Sequence, residues 1–252
     1  MDRCFGAKGE FQMRKEIFFS LFALSAATAS AATLPAEEIF PVEFISITAH
    51  TVIHRSYAMI SGNKTASNGL ILLTDRSAVI IDTAWNDEET NQIIEYVHVK
   101  LKKEVSACII THFHQDRAGG IGTMAKRSIP VYMTDQTHRL LEPNSQKYPY
   151  ERSINGLLRF DGITPDLEYF GPAHSPDNII VYDERDKVFF GGCLIKSMDS
   201  QSIGNTADAD LRSWPKVLKR IRGKYPDARI IIPGHGDAGD LTLLDHTLRL
   251  LE

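Results

Sequence analysis

Apolar and polar positions recur along this chain with two different periods, and the change of period separates strands from helices. Val42 to His50, Val52 to Ile60, Gly69 to Thr74 and Ala78 to Asp82 are apolar, β-branched runs bounded by turn residues, the last two joined through Asp75-Arg76-Ser77, and they predict four strands. Asn86 opens a segment in which Ile93, Val97 and Leu101 fall on one helical face. With Glu89 three positions on, Asn86 has the pattern of a capping box, so a helix is expected through Lys102. The second half repeats the scheme, with strands expected at Leu157 to Phe160, Leu167 to Phe170, Ile179 to Tyr182 and Val188 to Gly191. A helix over Asp210 to Lys224 follows, with Trp214, Val217, Leu218 and Ile221 on its apolar side, then a strand at Ala228 to Ile232 and an amphipathic helix at Leu241 to Leu251. Spacing alone therefore gives a mixed α/β chain.

The start of the chain breaks this pattern. Arg14 and Lys15 precede the mostly apolar Ile17 to Ala27, and Ala29-Ser30-Ala31 closes the segment with small residues, so residues 14 to 31 read as a secretory signal peptide. The apolar stretch is too short to span a bilayer, and no cysteine follows it to carry a lipid, so no membrane anchor is expected. The expected organisation is a leader over residues 1–31 and a single domain over 32–252, exported to the periplasm. Removing residues 1–31 takes away four basic and three acidic side chains, which turns the net charge of −4 into −5 and disfavours nucleic acid as a partner. No apolar interaction stripe stands out, so a monomer is expected. Of the three cysteines only Cys108 and Cys193 remain. Cys108 lies in a run that reads as buried strand, and no disulfide is expected.

The candidate chemistry begins where the apolar run Val105 to Ile110 ends. Thr111-His112-Phe113-His114-Gln115-Asp116-Arg117 puts three metal-competent side chains within five residues. Two imidazoles at i and i+2 on a turn leaving a strand can converge on one ion, and a carboxylate two residues later can point at a second. Three distant residues share that setting beside an apolar run: His174 in Gly171 to Asn178, Cys193 after Val188 to Gly192, and His235 in Ile230 to Gly236. Singly, each has an ordinary explanation as a core or turn residue. Together and in this order they point to a strand-end metal site.

At these residues the chain resembles the metallo-β-lactamases, more narrowly the first subclass of class B. The resemblance is carried by Ser67-Asn68-Gly69, Asp82-Thr83-Ala84-Trp85, His112 to Arg117, His174 to Asn178, Gly191 to Lys196, Gly204 to Leu211 and Pro233 to Gly236, and covers nearly the whole mature chain. It implies an αββα sandwich of two pseudo-repeated halves. It also implies two Zn2+ per chain, one on His112, His114 and His174 and one on Asp116, Cys193 and His235. Many hydrolases of the wider superfamily carry a histidine after the metal-binding aspartate, and this chain has Arg117. The thiolate of Cys193 supplies the missing donor, and Arg117 is expected beside that thiolate and the Asp116 carboxylate.

The function so implied is hydrolysis of the β-lactam amide of penicillins, cephalosporins and carbapenems, conferring antibiotic resistance. A zinc-bound hydroxide, with a pKa of about 7, is the nucleophile. Asp116 is the catalytic carboxylate, Lys196 pairs with the substrate carboxylate and Asn205 donates to a substrate oxygen, although a Gly-Asn turn explains Asn205 as well. Asp82 is expected to brace the metal-binding loop through hydrogen bonds. The loop Ser61-Gly62-Asn63-Lys64-Thr65 is polar where many relatives place an apolar residue over the cleft, and a lost stacking surface is expected there. The alternatives are another zinc hydrolase of the same fold acting on a lactone or thioester, and a non-catalytic zinc-binding protein. Arg117, Cys193 and Lys196 argue against the first, and the complete set of six ligands against the second. No G-x-S-x-G elbow appears, so serine catalysis has no support.

Overall fold

A computed structural model describes residues 38–141, 152–153 and 158–252. The predicted signal peptide and residue 157, the start of one predicted strand, lie outside them. Seven strands, β1 (Glu43–Ser46), β2 (Thr51–Ile60), β3 (Asn63–Leu73), β4 (Ser77–Ile81), β5 (Glu104–Ile109), β6 (Val131–Met133) and β7 (Arg152–Ser153), form one sheet in sequence order. β8 (Asp166–Tyr169), β9 (Ile179–Asp183), β10 (Val188–Gly192) and β11 (Ile230–Pro233) form a second sheet in the order β11-β10-β9-β8. Between the strands in the chain lie α1 (Asp87–Glu95), α2 (Gln115–Ala118), α3 (Ile121–Lys126), α4 (Asp135–Leu141) and α5 (Trp214–Lys224), and α6 (Thr242–Arg249) follows β11.

The inner segments of the central strands, such as Leu70 to Leu73 and Ala78 to Ile81, are apolar on consecutive residues because both faces of each sheet are covered, and the two-residue strand period sorts their side chains into separate layers. Ile71, Ile80, Cys108 and Ile110 pack with Ile93, Val97 and Met124 from the α1 and α3 side. Their neighbours Leu70, Leu72, Val79, Ile81 and Ile109 face the second sheet, meeting Ile179, Val181, Val188, Phe190 and Ile232. The other face of that sheet, with Ile180, Tyr182, Phe189 and Ile231, packs on Trp214, Val217, Leu218 and Ile221 of α5 and on Leu243 and Leu244 of α6. This is the expected αββα sandwich.

Several boundaries differ from the sequence reading. The first strand is only Glu43–Ser46, and β3 reaches back to Asn63 because the polar residues after the Ser61-Gly62 turn pair with the end of β2. Asn86 caps α1 as expected, accepting from the Glu89 N–H at 2.8 Å, but the helix stops at Glu95 and Tyr96–Lys100 continue as a π-turn. Lys102, at φ 55°, ends it. Phe160 makes only an isolated bridge to Ile163. α5 starts at Trp214 rather than Asp210, with Pro215 in its first turn. There proline's missing N–H leaves no bond unmade.

Candidate metal centre

The two sheets present their strand ends along one edge, and the site is built on the turns that leave them. β4 ends in Asp82, whose φ of 61° is left-handed, a strained position for a residue with a Cβ. The strain turns the Asp82 carboxylate back to accept from Thr111 N at 2.7 Å and Thr111 Oγ1 at 2.8 Å. The end of β4 is thus locked to the residue before His112, and burial pushes the Asp82 carboxyl up to about 7. Thr83 N and Oγ1 both donate to Arg117 O, at 2.7 and 2.9 Å, and Ser67 Oγ donates to Asp116 O at 3.2 Å, which fixes the other end of the turn.

Two groups of ligand atoms result. His112, His114 and His174 converge, their ligand atoms lying within 4.8 Å of one another. His114 Nδ1 and His174 Nε2 face each other at 3.1 Å, and the buried His112 Nε2 has no hydrogen-bond partner. Burial holds His112 down at about 4 and, with the nearby charges of Lys196 and His114, His174 at about 3, so both rings offer lone pairs. Three inward-facing imidazole nitrogens, one of them orphaned, fit a divalent metal. His114 Nε2 also meets Asp208 Oδ2 at 3.0 Å, a carboxylate–histidine contact that fixes ring orientation.

The second group is anionic. Cys193 Sγ lies 3.3 Å from Asp116 Oδ2 and 3.3 Å from His235 Nε2, and His235 Nε2 lies 3.3 Å from Asp116 Oδ2. Burial alone would raise Asp116 and Cys193, but Arg117 outweighs it and holds both well below their ordinary ranges. His235 is only half-buried, and although its partial burial works against protonation, the charges of Cys193 and Asp116 raise it to about 10. A carboxylate, a thiolate and an imidazole that attracts a proton in this way form a donor set that calls for a cation. His235 Nδ1 is occupied by Ala66 O at 2.5 Å, which leaves Nε2 as the nitrogen facing Asp116 and Cys193.

Arg117 is fully buried, at 0% exposure, and is spread over the whole group. Its Nη2 reaches Asp116 Oδ2 at 2.8 Å, Cys193 Sγ at 3.1 Å and Gly234 O at 2.9 Å, while Nη1 donates to Asn68 O and lies 3.5 Å from Asp82 Oδ2. The turn after His235 is packed as tightly. Gly236 has φ 78°, and a Cβ there would sit 2.2 Å from Ser197 Oγ.

A cavity of about 430 Å³ opens over both groups, lined by His114, Asp116, His174, Cys193 and His235 together with Trp85, Gln115, Lys196, Gly204 and Asn205. Lys196 and Asn205, the expected substrate contacts, thus both border this cavity. The Asn205 side chain also accepts from Ala207 N at 3.0 Å, so the turn role and the cavity position coexist. The expectation of a polar cover is corrected in part: Ile60, 44% exposed, and Thr65 line the cavity from the hairpin, so an apolar side chain is present just ahead of the polar loop. The contact of Asp208 with His114 escaped the sequence reading. Cys108 and Cys193 are both free and buried.

A layered αββα frame with histidine, carboxylate and thiolate donors at its strand ends defines a metal-dependent hydrolase. Comparison with known proteins narrows this. A profile of the metallo-beta-lactamase superfamily matches residues 62–235. The chain is 37% identical over 205 residues to the metallo-beta-lactamase type 2 of Bacillus cereus, covering 79% of this chain and 78% of that one, and 34% identical over 186 residues to that of Bacteroides fragilis, covering 73% and 75%. Among solved structures, a metallo-beta-lactamase from Pontibacter korlensis superposes with a TM-score of 0.79 at 37% identity, over 83% of this chain and 98% of its own. The FIM-1 enzyme of Pseudomonas aeruginosa, solved in a mono-zinc form, gives 0.76 at 33% identity over 84% and 96%. The chain belongs to the metallo-beta-lactamase superfamily.

Proposed function

We propose that this protein hydrolyses the amide bond of β-lactam antibiotics, carbapenems included, with one zinc ion on His112, His114 and His174 and a second on Asp116, Cys193 and His235. The observation that carries the reading is one cavity bordered by both ligand groups with a lysine in its wall. When bound, zinc supplies Lewis acidity and an acidified water. The protein's own groups do the rest. Arg117 holds the Asp116 carboxylate ionised and aimed into the cavity, where it can orient a water. Lys196, half-buried with its Nζ 5.6 Å from the Trp214 ring centre, offers its ammonium to a substrate carboxylate. Asn205 Oδ1 is taken by Ala207 N, which leaves its Nδ2 as the donor for a substrate oxygen. Trp85 and Ile60 supply apolar wall.

The segment over residues 14 to 31 supports export to the periplasm, and action there as a monomer completes the proposal. The test is carbapenem hydrolysis by the mature protein, followed by ultraviolet absorbance, with zinc content measured in the same sample. Loss of turnover on chelation and return with zinc is expected, at two ions per chain. No turnover by folded protein carrying two zincs would overturn the substrate assignment. Lys196→Ala should raise KM for carboxylate-bearing substrates on the order of tenfold, with a smaller change in kcat. An unchanged KM would remove Lys196 from the substrate site.

A further inference from the structure

On the side of β3 away from β4, β2 places Arg55 directly opposite Asn68. Its side chain is 16% exposed, and the guanidinium makes three contacts: Nε donates to Asn68 Oδ1 at 2.9 Å, and Nη2 to Gly236 O at 3.0 Å and to Asp237 Oδ1 at 3.0 Å. Asp237 is 90% exposed, and that ion pair contributes little. The other two contacts have a larger consequence. Asn68 Nδ2 donates to Pro233 O at 3.1 Å and to Gly236 O at 2.7 Å, so the amide grips the turn carrying His235 from both sides. An asparagine amide can rotate by half a turn, exchanging its donor and acceptor ends. Such a flip here would set the amide oxygen against two carbonyls.

From this geometry we infer that Arg55 is a positioning residue for the Asp116–Cys193–His235 metal site. Its Nε–H requires oxygen, not nitrogen, on the near side of Asn68, and thereby keeps the donor end of the amide on the His235 turn. Its Nη2 holds Gly236 directly. The inference rests on the metal reading proposed above. It predicts a sign opposite to simple electrostatics, since removing a nearby cation should tighten the hold on a divalent metal, whereas loosening the turn should weaken it.

The test is titration of metal-free wild type, Arg55→Ala and Arg55→Lys with cobalt(II). The thiolate-to-cobalt charge-transfer band in the near ultraviolet reports the Cys193 site, and the visible ligand-field bands report total binding. Lysine keeps the charge but cannot fork between Asn68 and Gly236. Both variants are expected to weaken the thiolate-band midpoint about tenfold, the lower end of what outer contacts to a metal ligand are worth, with the three-histidine site moved much less. An unchanged or tighter midpoint in Arg55→Ala, full rescue by lysine, or an equal loss at both sites would overturn the inference. Failure of the wild type to give any thiolate band would bring down the metal reading itself, and Arg55 with it.

Discussion

Replacing Arg117 by methionine keeps most of the side-chain volume and removes the charge, so it isolates what the buried cation does. In the metal-free protein Asp116 and Cys193, both within 3.1 Å of Nη2, would be left with only half-buried cations nearby, a protonated His235 and Lys196. Breaking a buried ion pair from one side costs about 3–5 kcal/mol. For a domain of this size that is a fall in Tm of roughly 6–20 °C. With zinc bound, the metal itself neutralises the carboxylate and thiolate, and the remaining loss is the two hydrogen bonds to Asn68 O and Gly234 O, about 1–2 kcal/mol. The deficit of the variant should therefore shrink by about 1–4 kcal/mol when zinc is added. Urea denaturation of wild type and Arg117→Met, each metal-free and zinc-loaded, measures all four stabilities. Equal deficits with and without zinc, or a metal-free deficit under about 1 kcal/mol, would refute the reasoning.

Asp208→Ala should free the His114 ring and weaken metal binding at the three-histidine site about tenfold, visible by competition with a chromophoric chelator; an unchanged affinity would mean that the 3.0 Å contact does not orient the ring. In the metal-free protein His235 is raised from 6.5 to about 10, so its contribution to stability is complete below about pH 6.5 and disappears as pH rises through about 10. The excess of wild-type over His235→Gln stability in urea should shrink across that window, and a gap that widened with pH would contradict the assignment. Gly236→Ala meets both a left-handed backbone and a Cβ 2.2 Å from Ser197 Oγ, and should cost about 2–4 kcal/mol. A neutral result in thermal melts would show that the turn can relax.

The candidate metal ligands were legible because each closes or follows an apolar run, and a strand end is visible in hydrophobic pattern. The core helices α5 and α6 were legible for a related reason, since one face of each is apolar enough to mark the period. The stretch from Gln115 to Leu141 was not. Its three helices are of four, six and seven residues, and β6 is three residues long, too short for any period to establish itself. The end of α1 was misjudged because Val97 and Leu101 stay apolar through the π-turn, and periodicity does not register a widened helix. Asp208 and Arg55 act across 94 and 181 residues of sequence, and no local pattern announces such a contact. Ile60 was overlooked because the neighbouring polar residues dominated the composition of the hairpin tip.

Many of the bonds that hold the metal-binding turns end on main-chain carbonyls. Arg117 donates to Asn68 and Gly234, Asn68 to Pro233 and Gly236, Thr83 to Arg117, Ser67 to Asp116 and His235 to Ala66. A carbonyl oxygen survives replacement of the side chain beside it. Mutational drift at acceptor positions such as Ala66 therefore leaves the scaffold intact, and selection has only the ligands, a short set of donors and a few steric glycines to preserve. A lineage can thus exchange most of its sequence, on the scale of the 37% identity with the Bacillus cereus protein, without losing the bonds that shape these turns.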